Sequence, residues 1–135
     1  MKIRIVSSKK DIDTLKPNEK AVHLAFRASN LDFLGLMQKA PRLQLIQIPP
    51  SYRKTVSKTV GAFLEMQGVA LIEGDVWGHR KDLDEYFMVP DEAERAIKAM
   101  TEKGVAPEEI AAEVQKTSKM GRALIEYIAK AEMAA

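Results

Sequence analysis

Asp75, Trp77, His79, Arg80 and Asp82 fall within eight positions, loosened by Gly74 and Gly78, and form the densest mixture of reactive and recognition side chains in the chain. Histidine titrates near neutrality, so His79 could act as a general acid or base, with Asp75 or Asp82 orienting its ring. The pair His79–Arg80 could equally bind a phosphate. Trp77, the only tryptophan, could stack on a base or close the core. A structural or surface role is the simpler reading of one histidine in a charged loop. His79 and Asp75 are the catalytic candidates, and they do not amount to a defined catalytic set.

Other chemistries lack their residues. Cysteine is absent, which removes thiolate metal sites, disulfides and cysteine nucleophiles together. The second histidine, His23, is too far along the chain to make a zinc site without carboxylate partners, so no metal is expected. There is no Gly-x-Ser-x-Gly turn, no phosphate-binding loop ending in Gly-Lys-Ser/Thr and no Gly-x-Gly-x-x-Gly. No motif indicates a cofactor.

The elements that must position these groups are β and α segments in alternation. Ile3–Val6 is short, β-branched and alternating. Ala21–Phe26, Leu43–Ile48 and Val69–Ile72 repeat the strand signal, and a helix-like segment follows each of the four strands. Ser7-Ser8 and Ser51 are placed to cap two of these helices, while Pro49-Pro50 and Gly68 supply stops. Short loops between alternating elements imply right-handed crossovers and a parallel sheet. Arg4, His23, Gln47 and Glu73 are expected on a second, partly polar sheet face, with His23 a hydrogen-bonded core residue.

Beyond Pro90 the sequence turns helical. Ala93, Ile97 and Met100, then Ile110, Ala111 and Val114, then Leu124, Ile125 and Ile128 mark three apolar stripes. These helices are expected to cover the open sheet face or a neighbouring chain. The architecture expected is one α/β domain over 1–135, with a four-stranded, mainly parallel sheet of βα repeats over 1–89 completed by C-terminal helices over 90–135.

Ligands of open parallel sheets bind outside the carboxyl ends of the strands. Here those loops carry Ser7 to Lys10, Arg27 to Asn30, Ser51 to Lys54, and Asp75 to Arg80. Lys9-Lys10 and Arg53-Lys54 would sit in the first turns of helices, where a cation is disfavoured by about 0.3–1 kcal/mol and a bound anion would relieve it. Arg27, Tyr52, Arg53, Trp77, His79 and Arg80 are therefore the candidate contacts to a small phosphate-bearing ligand. Exposed loops that are simply charged and screened give the same pattern.

Residues 1–68 hold twelve Lys/Arg against five Asp/Glu, a net +7, whereas 69–135 hold nine against fourteen, a net −5. That asymmetry fits an anionic ligand or acidic partner, or two halves that neutralise each other internally or between subunits of a homo-oligomer. At 46% hydrophobic and 30% charged residues, the composition is that of a folded globular protein. The charged opening Met-Lys-Ile-Arg is not a secretory signal, and no apolar run reaches the roughly 20 residues of a membrane span. A cytoplasmic protein is expected.

A different function is suggested by residues 104–128. Gly104 to Val114 resembles the first helix of a helix-turn-helix, and Thr117 to Leu124 would open a recognition helix with Lys119 and Arg122 facing DNA. Gln115 stands where a turn glycine is usual and Lys116 where an apolar plug is usual, and the acidic balance of this half opposes DNA binding. Two packed helices with a coincidental pattern are the simpler reading.

Three blocks, Val22-His23-Leu24-Ala25-Phe26-Arg27, Phe63-Leu64-Glu65-Met66-Gln67-Gly68 and Glu73-Gly74-Asp75-Val76-Trp77-Gly78-His79-Arg80-Lys81-Asp82, resemble a family of uncharacterised archaeal proteins found chiefly in methanogens. The resemblance covers nearly all of the α/β part, and it implies no activity.

Overall fold

The β-branched segments form the sheet they predict, with one strand more. The computed structural model describes residues 1–76 and 85–134. β1 (Lys2–Val6), β2 (Ala21–Leu24), β3 (Leu45–Ile48) and β4 (Ala70–Glu73) are parallel, and β5 (Tyr86–Met88) runs antiparallel along β1. The sheet order is β4-β3-β2-β1-β5. β5 is three residues long, too short for a periodicity signal, and its pairing with β1 is what makes it a strand. Beyond the strand pairs, the Ile5 N–H donates to the Glu85 carbonyl at 2.7 Å and the Val89 N–H to the Met1 carbonyl at 2.9 Å.

β1 to β4 succeed one another in one direction across the sheet, so right-handed crossovers send every intervening helix to the same face. That face is covered by α1 (Lys9–Ile12), α2 (Asn30–Lys39) and α4 (Lys58–Met66). Its core joins Val22, Leu24, Ile46 and Ile48 of the strands to Ile12, Phe33, Leu36, Val60 and Leu64 of the helices. α4 is capped by Ser57, whose Oγ accepts the Val60 N–H at 3.1 Å, and not by Ser51. Pro49-Pro50 instead starts a separate short helix, α3 (Pro50–Arg53). Gly68, at φ 75°, ends α4 in the left-handed conformation that glycine tolerates best.

The other face is covered by α5 (Asp91–Glu102), α6 (Pro107–Gln115) and α7 (Arg122–Ala134). Ile97, Ile110, Leu124 and Ile125 are fully or nearly fully buried there against Ile3, Ile5, Leu45 and Phe87. The three expected stripes are the inward ones, with Met100 only partly buried, and they close on the sheet of their own chain. The four polar strand residues, however, do not share a face. Pairing places Ile5, His23, Gln47 and Ile72 in one row, under the C-terminal helices. Arg4 sits in the neighbouring row with Val22, and Glu73 in the row of Ile48, so both belong to the α1–α2–α4 face. A one-residue shift in pairing exchanges faces.

The basic and acidic halves meet within the chain. Arg4 pairs with Glu85 at 3.8 Å, Arg53 with Glu73 at 3.9 Å, and the Met1 amino group with Glu94.

Candidate nucleic-acid interface and carboxyl-edge cleft

The link between α6 and α7 is held from several sides. The Ser118 N–H donates to the Val114 carbonyl at 3.0 Å, which ends α6, and Ser118 Oγ accepts the Met120 N–H at 3.2 Å. Met120 is 5% exposed and packs with Val114, Leu124 and Ile125, so it is the apolar plug that Lys116 could not be. Lys116 points outward to Glu113 at 2.9 Å. Gln115, which replaces the expected glycine, reaches the Met120 carbonyl at 3.4 Å. The α6–α7 pair thus has the plug and the braced link of a helix-turn-helix. The link is six residues, 116–121, longer than the usual three or four, and α7 starts at Arg122 rather than at Thr117.

Lys116, Lys119 and Arg122 fall in seven positions that contain no acid. All three are exposed. Arg122 pairs with Glu126 one turn on, at 3.0 Å, while Lys119 has no carboxylate within ion-pair distance among the described residues. Thr117 and Ser118 add hydroxyls beside them.

The first turn of α7 also walls a cleft. Gly121, Arg122 and Glu126 face Pro50-Ser51 and Glu73–Asp75 across about 670 Å³ of open space at the carboxyl edge of the sheet. Gly121 packs over Gly74, and a Cβ added to Gly121 would make an ordinary contact at 3.7 Å from the Gly74 Cα. A Cβ on Gly74 would stand 2.8 Å from Gln47 Oε1, so a side chain there would push the buried Gln47 amide aside. Beneath, His23 and Gln47 are fully buried; Gln47 Nε2 and His23 Nδ1 are 2.9 Å apart, and His23 Nε2 lies 3.8 Å from Asp75 Oδ1. With the Gln47 amide donating to Nδ1, the ring proton sits on Nε2, toward Asp75. His23 is the hydrogen-bonded core histidine the sequence suggests, and its partnership with Asp75 was not foreseen. Asp75 also accepts the Val76 N–H at 2.8 Å.

The remaining carboxyl-edge candidates are arranged as follows. Arg27 lies over the Tyr52 ring at 5.5 Å, so these two are brought together. Arg53 turns to Glu73. Trp77, His79 and Arg80, together with Asp82, lie outside the described residues. Of the two helix starts invoked for an anion, that of α1 holds its own carboxylate, whereas Arg53 and Lys54 fall at the end of α3, where a cation is favoured, and not in a first turn. Asp11 accepts the Ser7 N–H at 2.9 Å, and Asp32 accepts the Ser29 N–H at 2.8 Å while the Ser29 hydroxyl caps α2 in return. Lys9 is matched by Asp32 at 3.9 Å. The topology also lacks the crevice of doubly wound sheets, because all three crossovers leave to one face and no pair of carboxyl-edge loops diverges.

Among the described residues no group of three or more His, Asp or Glu could hold a metal ion, and no helix is long and apolar enough to cross a membrane. No curated protein and no solved structure matches the chain. Two family models do. Residues 2–85 match the N-terminal domain of a family of unknown function (DUF1699), and residues 95–130 match the C-terminal helix-turn-helix domain described for the same family. The second segment contains all of α6 and the link, with most of α5 and most of α7. The chain belongs to the DUF1699 family.

Proposed function

We propose that the protein binds DNA through its C-terminal helices, laying the start of α7 and the 116–121 link against the duplex. The observation that carries this reading is the coincidence of a plugged α6–α7 pair with a family helix-turn-helix segment over 95–130. Lys116, Lys119 and Arg122 supply phosphate contacts, with Thr117 and Ser118 as hydrogen-bond donors beside them. The helices as a whole carry more acid than base, but the acids cluster in the first turns of α5 and α6 and spare the link. Retention of duplex DNA should fall steeply with salt, and Lys119→Ala should weaken it across sequences and reduce the salt slope by about 1. Absence of retention at low salt, or retention indifferent to Lys116, Lys119 and Arg122, would overturn the reading.

A second reading keeps a phosphate-bearing ligand at the carboxyl edge, with Arg27, Tyr52 and Arg53 contacting it, Trp77 stacking, His79 and Arg80 binding the anion, and His79 with Asp75 available for proton transfer. It is supported by the Arg27–Tyr52 pairing. Glu73, Asp75 and Glu126 in the cleft lining weigh against an anion there. A thermal-shift screen of nucleotides checks it, with any hit expected to vanish in Arg80→Ala and to survive Lys119→Ala.

A further inference from the structure

The opposite, amino edge of the sheet holds a cavity of about 330 Å³, walled by Lys2, Lys16, Asn18, Glu19, Lys20 and Tyr86 among others. Lys2, Lys16 and Lys20 are exposed, and none has a carboxylate within ion-pair distance among the described residues. This is the reverse of the carboxyl edge, where Lys9 and Arg53 are matched by Asp32 and Glu73. Three ammonium groups around one small cavity repel one another, and only screening or a bound anion relieves that repulsion.

The one carboxylate in the named wall is largely withdrawn from opposing them. Glu19 is 6% exposed, and its Oε1 accepts the Tyr86 hydroxyl at 2.6 Å. Arg4, itself 6% exposed, lies 5.5 Å from the Tyr86 ring and donates to Thr14 Oγ1 at 2.8 Å, so a buried cation stands beside the Tyr86–Glu19 pair. Lys2 Nζ rests 4.6 Å over the same ring, which holds its charge at the cavity. Burial and the bond to Glu19 push the Tyr86 hydroxyl above its ordinary range, keeping it a donor to Glu19. Glu19 Oε2 is buried without a hydrogen-bond partner among the described residues. Buried polar atoms are rarely left so.

We infer that this amino-edge cavity binds a small, hydroxyl- or amino-bearing phosphate ester, with Lys2, Lys16 and Lys20 holding the phosphate and Glu19 receiving a donor from the ligand. The volume lies at the small end of ligand pockets, enough for a sugar phosphate and too little for a dinucleotide. The site is independent of the DNA-binding reading, since none of its residues belongs to α5–α7.

The test is calorimetric titration of the full chain with ribose 5-phosphate, pyrophosphate and ribose. Ribose 5-phosphate should bind, weaken as salt rises, and lose at least tenfold in affinity in Lys16→Gln/Lys20→Gln, while ribose should not bind. Pyrophosphate binding as tightly as the sugar phosphate would overturn the role of Glu19. No binding of either anion, or binding unchanged in the double variant, would overturn the site. Loss of duplex DNA retention in the double variant without loss of any small-anion binding would assign these lysines to nucleic acid and sink the proposal. The substituted lysines are exposed, so circular dichroism of the variants should match that of the parent chain.

Discussion

On the α1–α2–α4 face, the two central strands present only apolar residues, Val22 and Leu24 from β2 and Ile46 and Ile48 from β3. On the α5–α7 face the same strands present His23 and Gln47 at their centre, fully buried and bonded to each other. The difference follows from how each layer arrives. α1, α2 and α4 each lie in the chain between two strands that neighbour one another in the sheet, and that connectivity brings them down on it. The C-terminal helices reach their face only after the chain has crossed from β4 to β5, and generic apolar stripes would let them settle in several ways. A buried polar pair, topped by Gly74 packed tightly on Gln47, accepts fewer arrangements. The specificity of docking is our hypothesis for why His23 and Gln47 are polar.

The sharpest way to break this comparison is to cut equally into both layers. Leu36→Ala and Leu124→Ala should each lower stability by about 2–5 kcal/mol, because both side chains are essentially inaccessible. In chemical denaturation both variants should keep a single transition, and a second transition in Leu124→Ala alone would show that the helical layer unfolds by itself. The polar pair comes next. His23→Leu strands the Gln47 amide and should cost about 1–3 kcal/mol, and adding Gln47→Leu should restore much of that loss. A double variant no better than the single one would mean that Asp75, not Gln47, is the partner that matters. Two glycines then separate close approach from freedom. Gly74→Ala drives a Cβ into Gln47 and should cost about 1–3 kcal/mol. Gly61→Ala, inside α4 with nothing within 4 Å of its Cβ, should instead stabilise by about 0.5–1 kcal/mol.

The smallest effect concerns alkaline pH. Tyr86 is raised in the folded state by burial and by its bond to Glu19, so its contribution is complete below the ordinary tyrosine value of about 10 and is lost as pH rises through the folded value. Tyr127 is raised by burial and behaves alike. Tyr86→Phe should therefore flatten part of the stability loss above pH about 10, followed by denaturation midpoints, and an unchanged slope would show that burial and Glu19 do not raise the Tyr86 hydroxyl.

Much of this was legible in the residues. β-branched runs and proline or glycine stops located four strands, and 3.6-residue stripes picked out the buried faces of α5, α6 and α7. What was not legible depends on pairing across the chain. Nothing local to Tyr86-Phe87-Met88 says that it will lie along β1. Nothing near His23 says that register places it beside Gln47 and Ile5 rather than beside Arg4. Ser57 and Ser51 are equally good caps by type, and only the short helix begun by Pro50 decides between them. The carboxyl-edge cations looked available because the carboxylates that meet them, Asp32 and Glu73, come from other elements. Met120 carried a readable signal, since an apolar residue in an otherwise polar link has to be buried somewhere.

β5 bears on how the two matched segments of the family can move. It lies between them in the chain, after residue 85 and before residue 95, yet its hydrogen bonds run to β1, the first strand. The α5–α7 layer is therefore joined to the sheet by a stitched seam and not by a hinge. A pull on α5 loads β5 in the plane of the sheet, where three residue pairs and the Val89–Met1 bond resist together. Swinging the helices free of the sheet would require tearing an edge strand away from β1.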